Sequence, residues 1–157
     1  MRGCACRATA GVAHVSCLAE QAKILVAEAE ENNLDDDVKF GRFCRWDLCG
    51  LCEQDYHGVV RCALGWACWK TYVGRPEADK VRHAAISVLG AGLQEAKLYE
   101  DALSVQEADL ATRRRFGQSA YNILIAQGNL ANTYAKFGRL EQALPLQRDV
   151  YLSLIHI

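Results

Sequence analysis

The sequence predicts a mainly α-helical protein in two parts, a small metal-binding module followed by an antiparallel α-hairpin repeat. Three observations predict it. All eight cysteines fall between Cys4 and Cys68, leaving the rest of the 157 residues without one. Apolar residues recur at helical spacing over most of the chain. A pattern of small and large apolar residues beginning at Leu89 returns at Leu130, a shift of 41 residues, as stacked helical hairpins require. The expected parts are a module over 1–60, a connecting helix over 61–75 and two hairpins over 76–153.

Composition narrows the function classes. Half of the residues are apolar, 51%, which is ample for a core. With 18 basic and 19 acidic side chains the net charge is -1, so no overall field draws the chain to nucleic acid or an anionic membrane. Charged residues interrupt every apolar stretch before the ~20 residues that a spanning helix needs. Arg2, Cys4, Cys6 and Arg7 do not open as a secretory leader does, and the expectation is an intracellular, cytoplasmic protein. In a reducing compartment clustered cysteines are better metal ligands than a disulfide framework, the alternative reading.

Taken in order, Leu18, Ala22, Leu25, Val26 and Ala29 form one apolar face of a helix, with Glu20, Lys23, Glu28 and Glu30 opposite. The run from Asn32 to Asp37 favours a polar loop. Residues Phe43 to Cys52 hold Cys44, Trp46, Cys49 and Cys52, with Cys49 to Cys52 spaced as a metal knuckle, and Tyr56 to Val60 predicts a short strand leaving it. From Arg61 to Tyr72 apolar residues are dense, and Trp66 and Trp69 share a helix face where packing is their ordinary role. On this helix Cys62 and Cys68 read as small buried hydrophobes. Gly74-Arg75-Pro76-Glu77 marks the domain boundary. Four helices follow, broken near Ala96-Lys97, Phe116 to Ser119 and Phe137-Gly138; Pro145 lies inside the last, and Ser153 to Ile157 does not continue it. The run Arg113-Arg114-Arg115 suits a helix end through the helix dipole.

Within the repeat, Leu89-Gly90, Leu93, Tyr99 and Ala102-Leu103 match Leu130-Ala131, Tyr134, Leu140 and Ala143-Leu144. Gly90, Ala131, Ala102 and Ala143 let paired helices approach closely, while Leu89, Leu93, Leu130 and Tyr134 fill the seam. Over residues 77–153 this pattern resembles the tetratricopeptide repeat, in the longer form of kinesin light chains. The resemblance implies that an extended peptide lies along the face made by the first helix of each hairpin, where Asn129, Asn132 and Lys136 would hydrogen-bond its backbone. The plain alternative is that the three are solvated polar residues. Two repeats are fewer than usually stand alone, which predicts a cap, a partner or further sequence.

The cysteines fall in close pairs, Cys4-x-Cys6, His14-x-x-Cys17 and Cys49-x-x-Cys52, and short loops of this kind can each aim two side chains at one zinc ion. In that order, with Trp46 before the last pair and Tyr56 after it, they resemble the last six ligands of the RING-CH zinc finger. The family begins with a further Cys-x-x-Cys that this sequence lacks, and its usual interval is shorter than the one from Cys17 to Cys49. Its interleaved arrangement implies one complete zinc site of Cys4, Cys6, Cys49 and Cys52. His14 and Cys17 would hold half of a second, with Cys44 or Cys62 as substitute ligands or the rest in a longer protein.

The resemblance further implies a ubiquitin-ligase module, with structural zinc, docking a charged ubiquitin-conjugating enzyme while the repeat selects the target. The alternative is a passive scaffold that binds peptides and transfers nothing. No phosphate-binding loop, dinucleotide fingerprint, nucleophile elbow or His-Glu-x-x-His motif is present. His14 and Cys17 have the residue types of a base and thiol nucleophile, but at this spacing they more naturally share a metal.

Overall fold

The apolar face after Cys17 becomes helix α1 (Val15–Glu31), which buries Ala22, Val26 and Ala29. The computed structural model describes residues 13–155, and all of its regular structure there is helical, as the periodicity predicts. Asn33 takes a positive φ of 47° and stops α1, with the Leu34 N–H returning to the Ala29 carbonyl at 3.0 Å.

The acidic run that follows is only partly a loop. Asp35 caps a short helix, α2 (Asp36–Phe43), by accepting the Val38 N–H at 2.9 Å, and Asp36 and Asp37 sit in its first turn against the positive end of the helix dipole. Residues that disfavour a helix interior are thus a start signal here. A 3₁₀ turn over Cys44–Trp46 continues α2.

Helix α3 (Gly58–Tyr72) replaces the strand expected over Tyr56 to Val60. Among the described residues extended pairing is confined to one bridge between Leu48 and Asp55. Val60 is the first of a buried series, Val60, Leu64 and Cys68, spaced four apart, so burial of a helical face overrides the β preference of Val59-Val60.

The expected boundary at Gly74 to Pro76 is the turn between α3 and α4 (Lys80–Glu95), two antiparallel helices in close contact. One core spans both sides of it: Ala22 and Val26 of α1, Trp46, and Cys68 and Tyr72 of α3 meet Ala85 and Val88 of α4. Arg75 in the turn binds both carboxylate oxygens of Glu30 at 2.7 Å.

Beyond α4 come α5 (Tyr99–Arg115), α6 (Ala120–Lys136) and α7 (Leu140–Ile155), each packed on its neighbour. Leu89, Gly90, Leu93, Ala102, Leu130, Ala131 and Ala143 are all buried, as the repeat requires. Both hairpins turn alike. Lys97 (φ 62°) and Gly138 (φ 82°) are left-handed, and the next residue donates to the carbonyl five back, Leu98 to Leu93 and Arg139 to Tyr134, each at 2.9 Å. The final helix runs on through Ser153 to Ile155, against the break expected there.

Candidate functional site

A groove of about 470 Å³ lies between α2, α4 and α6. Phe40 and Phe43 of α2 form one wall, Ala84, Ser87, Val88 and Ala91 of α4 the floor, and Asn122, Ile125 and Asn129 of α6 the other wall. The register of the repeat explains the pairing of the helices: Ala84 and Val88 stand where Ile125 and Asn129 stand 41 residues later. A second hollow of about 230 Å³ adjoins it, sharing Phe40, Phe43, Lys80 and Ala84. Phe40, largely exposed, therefore lines both.

The groove carries amides and a hydroxyl beside apolar surface, the mixture that holds an extended chain by its backbone and selects its side chains. Its charged residues are Lys80, Arg61, Arg113 and Asp47. Burial raises the Asp47 carboxyl above the usual range, partly opposed by Arg61, whose Nε is 3.5 Å away. Burial also raises the Cys44 thiol, which leaves it a weak nucleophile.

Under the groove runs a buried ionic network. Asp109 of α5 accepts Arg113 Nε at 2.8 Å on one oxygen and faces His83 Nδ1 of α4 at 3.0 Å with the other. Beside a carboxylate, Nδ1 is the nitrogen that carries the proton. The Arg113 Nη2 reaches the His83 carbonyl and Ser87 Oγ, both at 3.1 Å. All three side chains are almost fully buried, so the network fixes α5 against α4 and holds Ser87 at the groove. Of the arginine run only Arg113 turns inward, one helical turn from Asp109. Arg115 pairs with Glu77 at the surface.

The cysteine turn is equally defined. The Cys49 N–H donates to the Gln54 carbonyl and the Glu53 N–H to the Cys49 carbonyl, both at 2.9 Å, while Glu53 adopts a left-handed φ of 55°. Cys49 is buried with Tyr56, Val60 and Leu64, and Val15 and Leu18 of the first turns of α1 pack against this group, as does Cys52. The start of α1 is thereby brought to the Cys49–Cys52 turn.

His14 stands at the N-cap position of α1 without a side-chain capping bond, and Cys17 lies in the first turn, both exposed. Cys4 and Cys6 lie outside the described residues. Among the described residues no group of three or more His, Cys, Asp or Glu side chains is placed to hold a metal ion. Cys49 and Cys52 stand in one tight turn, and His14 and Cys17 at the start of α1. Cys62 and Cys68 are packing residues. Cys62 joins Leu89, Leu93 and Ala102, and Cys68 is fully buried with its thiol raised by burial.

Of the expected peptide contacts, Asn129 lines the groove. Asn132 and Lys136 are exposed elsewhere on α6, and the Asn132 amide donates to Gln94 Oε1 at 3.4 Å. Sequence reasoning missed Phe40, because α2 reads as a loop, and Ser87 and Asn122, although their repeat positions were available. It also missed the ionic network, whose signal was the four-residue spacing of Asp109 and Arg113.

No protein family, curated protein or solved structure matches this chain. Among the described residues no helix is long and apolar enough to cross a membrane.

Proposed function

We propose that this protein is an interaction adaptor that holds an extended peptide in the groove between α2, α4 and α6. The observation that carries the reading is the apolar floor of Ala84, Val88 and Ala91 flanked by Ser87, Asn122 and Asn129. Asn129 and Asn122 hydrogen-bond the peptide backbone, and Phe40 and Phe43 receive an apolar side chain. Peptides selected from a random library against the full chain are expected to lose at least tenfold in affinity to an Asn129→Ala, Asn122→Ala variant. Selected peptides that bind this variant equally well would reject the groove.

In the same proposal Cys49 and Cys52 join Cys4 and Cys6 in one complete structural zinc site, and His14 and Cys17 are half of a second that this chain alone does not fill. Zinc there supplies no chemistry beyond crosslinking the chain. Packing of the first turns of α1 on the Cys49–Cys52 turn supports this, because it sets the start of α1 beside that turn. Elemental analysis of the reduced protein is expected to give about one zinc per chain, lost in Cys49→Ser, Cys52→Ser. No zinc in the folded, reduced protein would end the metal reading. The RING-CH-like order of these ligands supports recruitment of a ubiquitin-conjugating enzyme as the adaptor's partner. Self-modification in a reconstituted assay separates that role from a passive scaffold.

A further inference from the structure

The two ends of the groove between α2, α4 and α6 differ in charge. The Arg61 backbone lies against Gly92, next to Ala91, so Arg61 and the neighbouring Asp47 stand at the Ala91 end. Lys80 lines the other end, about 16 Å away along α4. At the Ala91 end two carboxylates share one guanidinium. Arg61 Nη1 donates to Asp55 Oδ2 at 3.3 Å, and its Nε is 3.5 Å from Asp47 Oδ1 without the alignment of a hydrogen bond. Arg45 is drawn instead to Glu53, at 3.7 Å, and to the Cys49 carbonyl. With both carboxyls ionised, this end keeps one uncompensated negative charge, and Asp47 Oδ1 is buried without a hydrogen bond among the described residues.

An ammonium or guanidinium group supplies what this end lacks, positive charge and N–H donors. Burial, with the Asp55 charge adding to it, raises the Asp47 carboxyl, and a cation beside it favours the ionised form. The Asp47 side chain is 27% exposed and lines the groove, so a ligand can reach it. A further hairpin in the same register would stand against α6, the opposite wall, and would leave this end open. Phe40 and Phe43 share their hollow with Lys80 and Ala84. From Ala84 to Ala91 is about 10 Å of helix, roughly three residues of extended chain.

We propose that the Asp47 end of the groove takes a Lys or Arg side chain of the bound peptide. The ligand class is then an extended peptide with a basic residue roughly two to four positions from the apolar residue held by Phe40 and Phe43. Asp47 is the specificity-determining residue, and Asp55 keeps Arg61 from neutralising it. This inference rests on the reading of the groove as a peptide site.

The probes are peptides selected from a random library against the full chain, each synthesised with its basic residue and with Ala in that place, and titrated by fluorescence anisotropy. Asp47→Asn is expected to weaken the basic form about fivefold or more and the Ala form less than about twofold. Loss confined to the basic form separates recognition from damage to the fold. Asp55→Asn, at a half-exposed residue outside the groove lining, should weaken the basic form in the same sense and serves if Asp47→Asn does not fold. Peptides that lose affinity to the Asn129→Ala, Asn122→Ala variant yet carry no basic residue, or bind both carboxylate variants unchanged, would overturn this inference and leave the groove standing. Peptides indifferent to the Asn129→Ala, Asn122→Ala variant, or a selection that yields none, would overturn the groove reading and this inference with it.

Discussion

Gly92 of α4 crosses α3 so closely that a Cβ on it would lie 3.0 Å from the Cys62 Cα, and 2.9 Å from the Arg61 carbonyl oxygen. Both neighbours are backbone and cannot swing aside. Gly65 makes the reciprocal approach, 3.1 Å from the Leu89 Cα. The close approach binds the cysteine-bearing part of the chain to the hairpins. Gly92→Ala is expected to destabilise by about 1–2 kcal/mol, overpacking outweighing the gain in helix propensity. Gly128→Ala in α6 meets nothing within 4 Å and should instead stabilise by about 0.5–1 kcal/mol. Urea unfolding of the two variants tests the contrast, and equal shifts would remove the tight crossing.

Asp109 is the hub of the buried network, and removing it leaves Arg113 charged and without its carboxylate in the interior. Asp109→Ala is expected to cost about 3–5 kcal/mol, the usual penalty for breaking a buried pair from one side. Thermal unfolding measures it. A cost below about 1 kcal/mol, the range of a surface ion pair, would show the network to be solvated.

Lys97 occupies the left-handed position that Gly138 fills in the second hairpin. A side chain there is strained by about 1 kcal/mol, offset in part by the lower chain entropy of the unfolded state. Lys97→Gly should therefore stabilise by about 0.5–1 kcal/mol, and Gly138→Ala should destabilise by about 1 kcal/mol. Denaturant midpoints of opposite sign are the expected outcome.

Tyr72 predicts the alkaline behaviour. Burial pushes its phenol up to about 12, only partly offset by the Trp46 indole. An unfolded tyrosine loses its proton near pH 10, so between pH 10 and 12 the unfolded state binds fewer protons than the folded state and stability falls as pH rises. The loss amounts to about 2–3 kcal/mol once pH passes 12. Tyr72→Phe should lack this component, with little change near neutral pH. Parallel declines for both proteins between pH 9 and 11 would contradict it.

Much of this architecture was legible in the residues. The apolar faces that define α1, α4, α5 and α6 carry their own period, and the small residues Gly90, Ala102, Ala131 and Ala143 mark contacts that the structure buries. Of the groove, only Asn129 was found. Its other wall stands on α2, where the aspartates that suggest a loop serve as a helix cap. The strand expected at Val59-Val60 failed because local preference at two residues yields to the buried face of a fifteen-residue helix.

The sequence by itself determined the positions of α1 and of the repeat helices α4 to α6, and the hairpin register, since each follows from spacing along the chain. Tertiary structure alone decided that Arg113 turns inward while Arg114 and Arg115 do not, that α3 and α4 cross at two glycines, and that α7 is exposed at positions that are buried on α5. These depend on which helix faces meet. Burial is a property of the neighbour as much as of the residue, and the same leucine pattern is core in Leu103 and surface in Leu144.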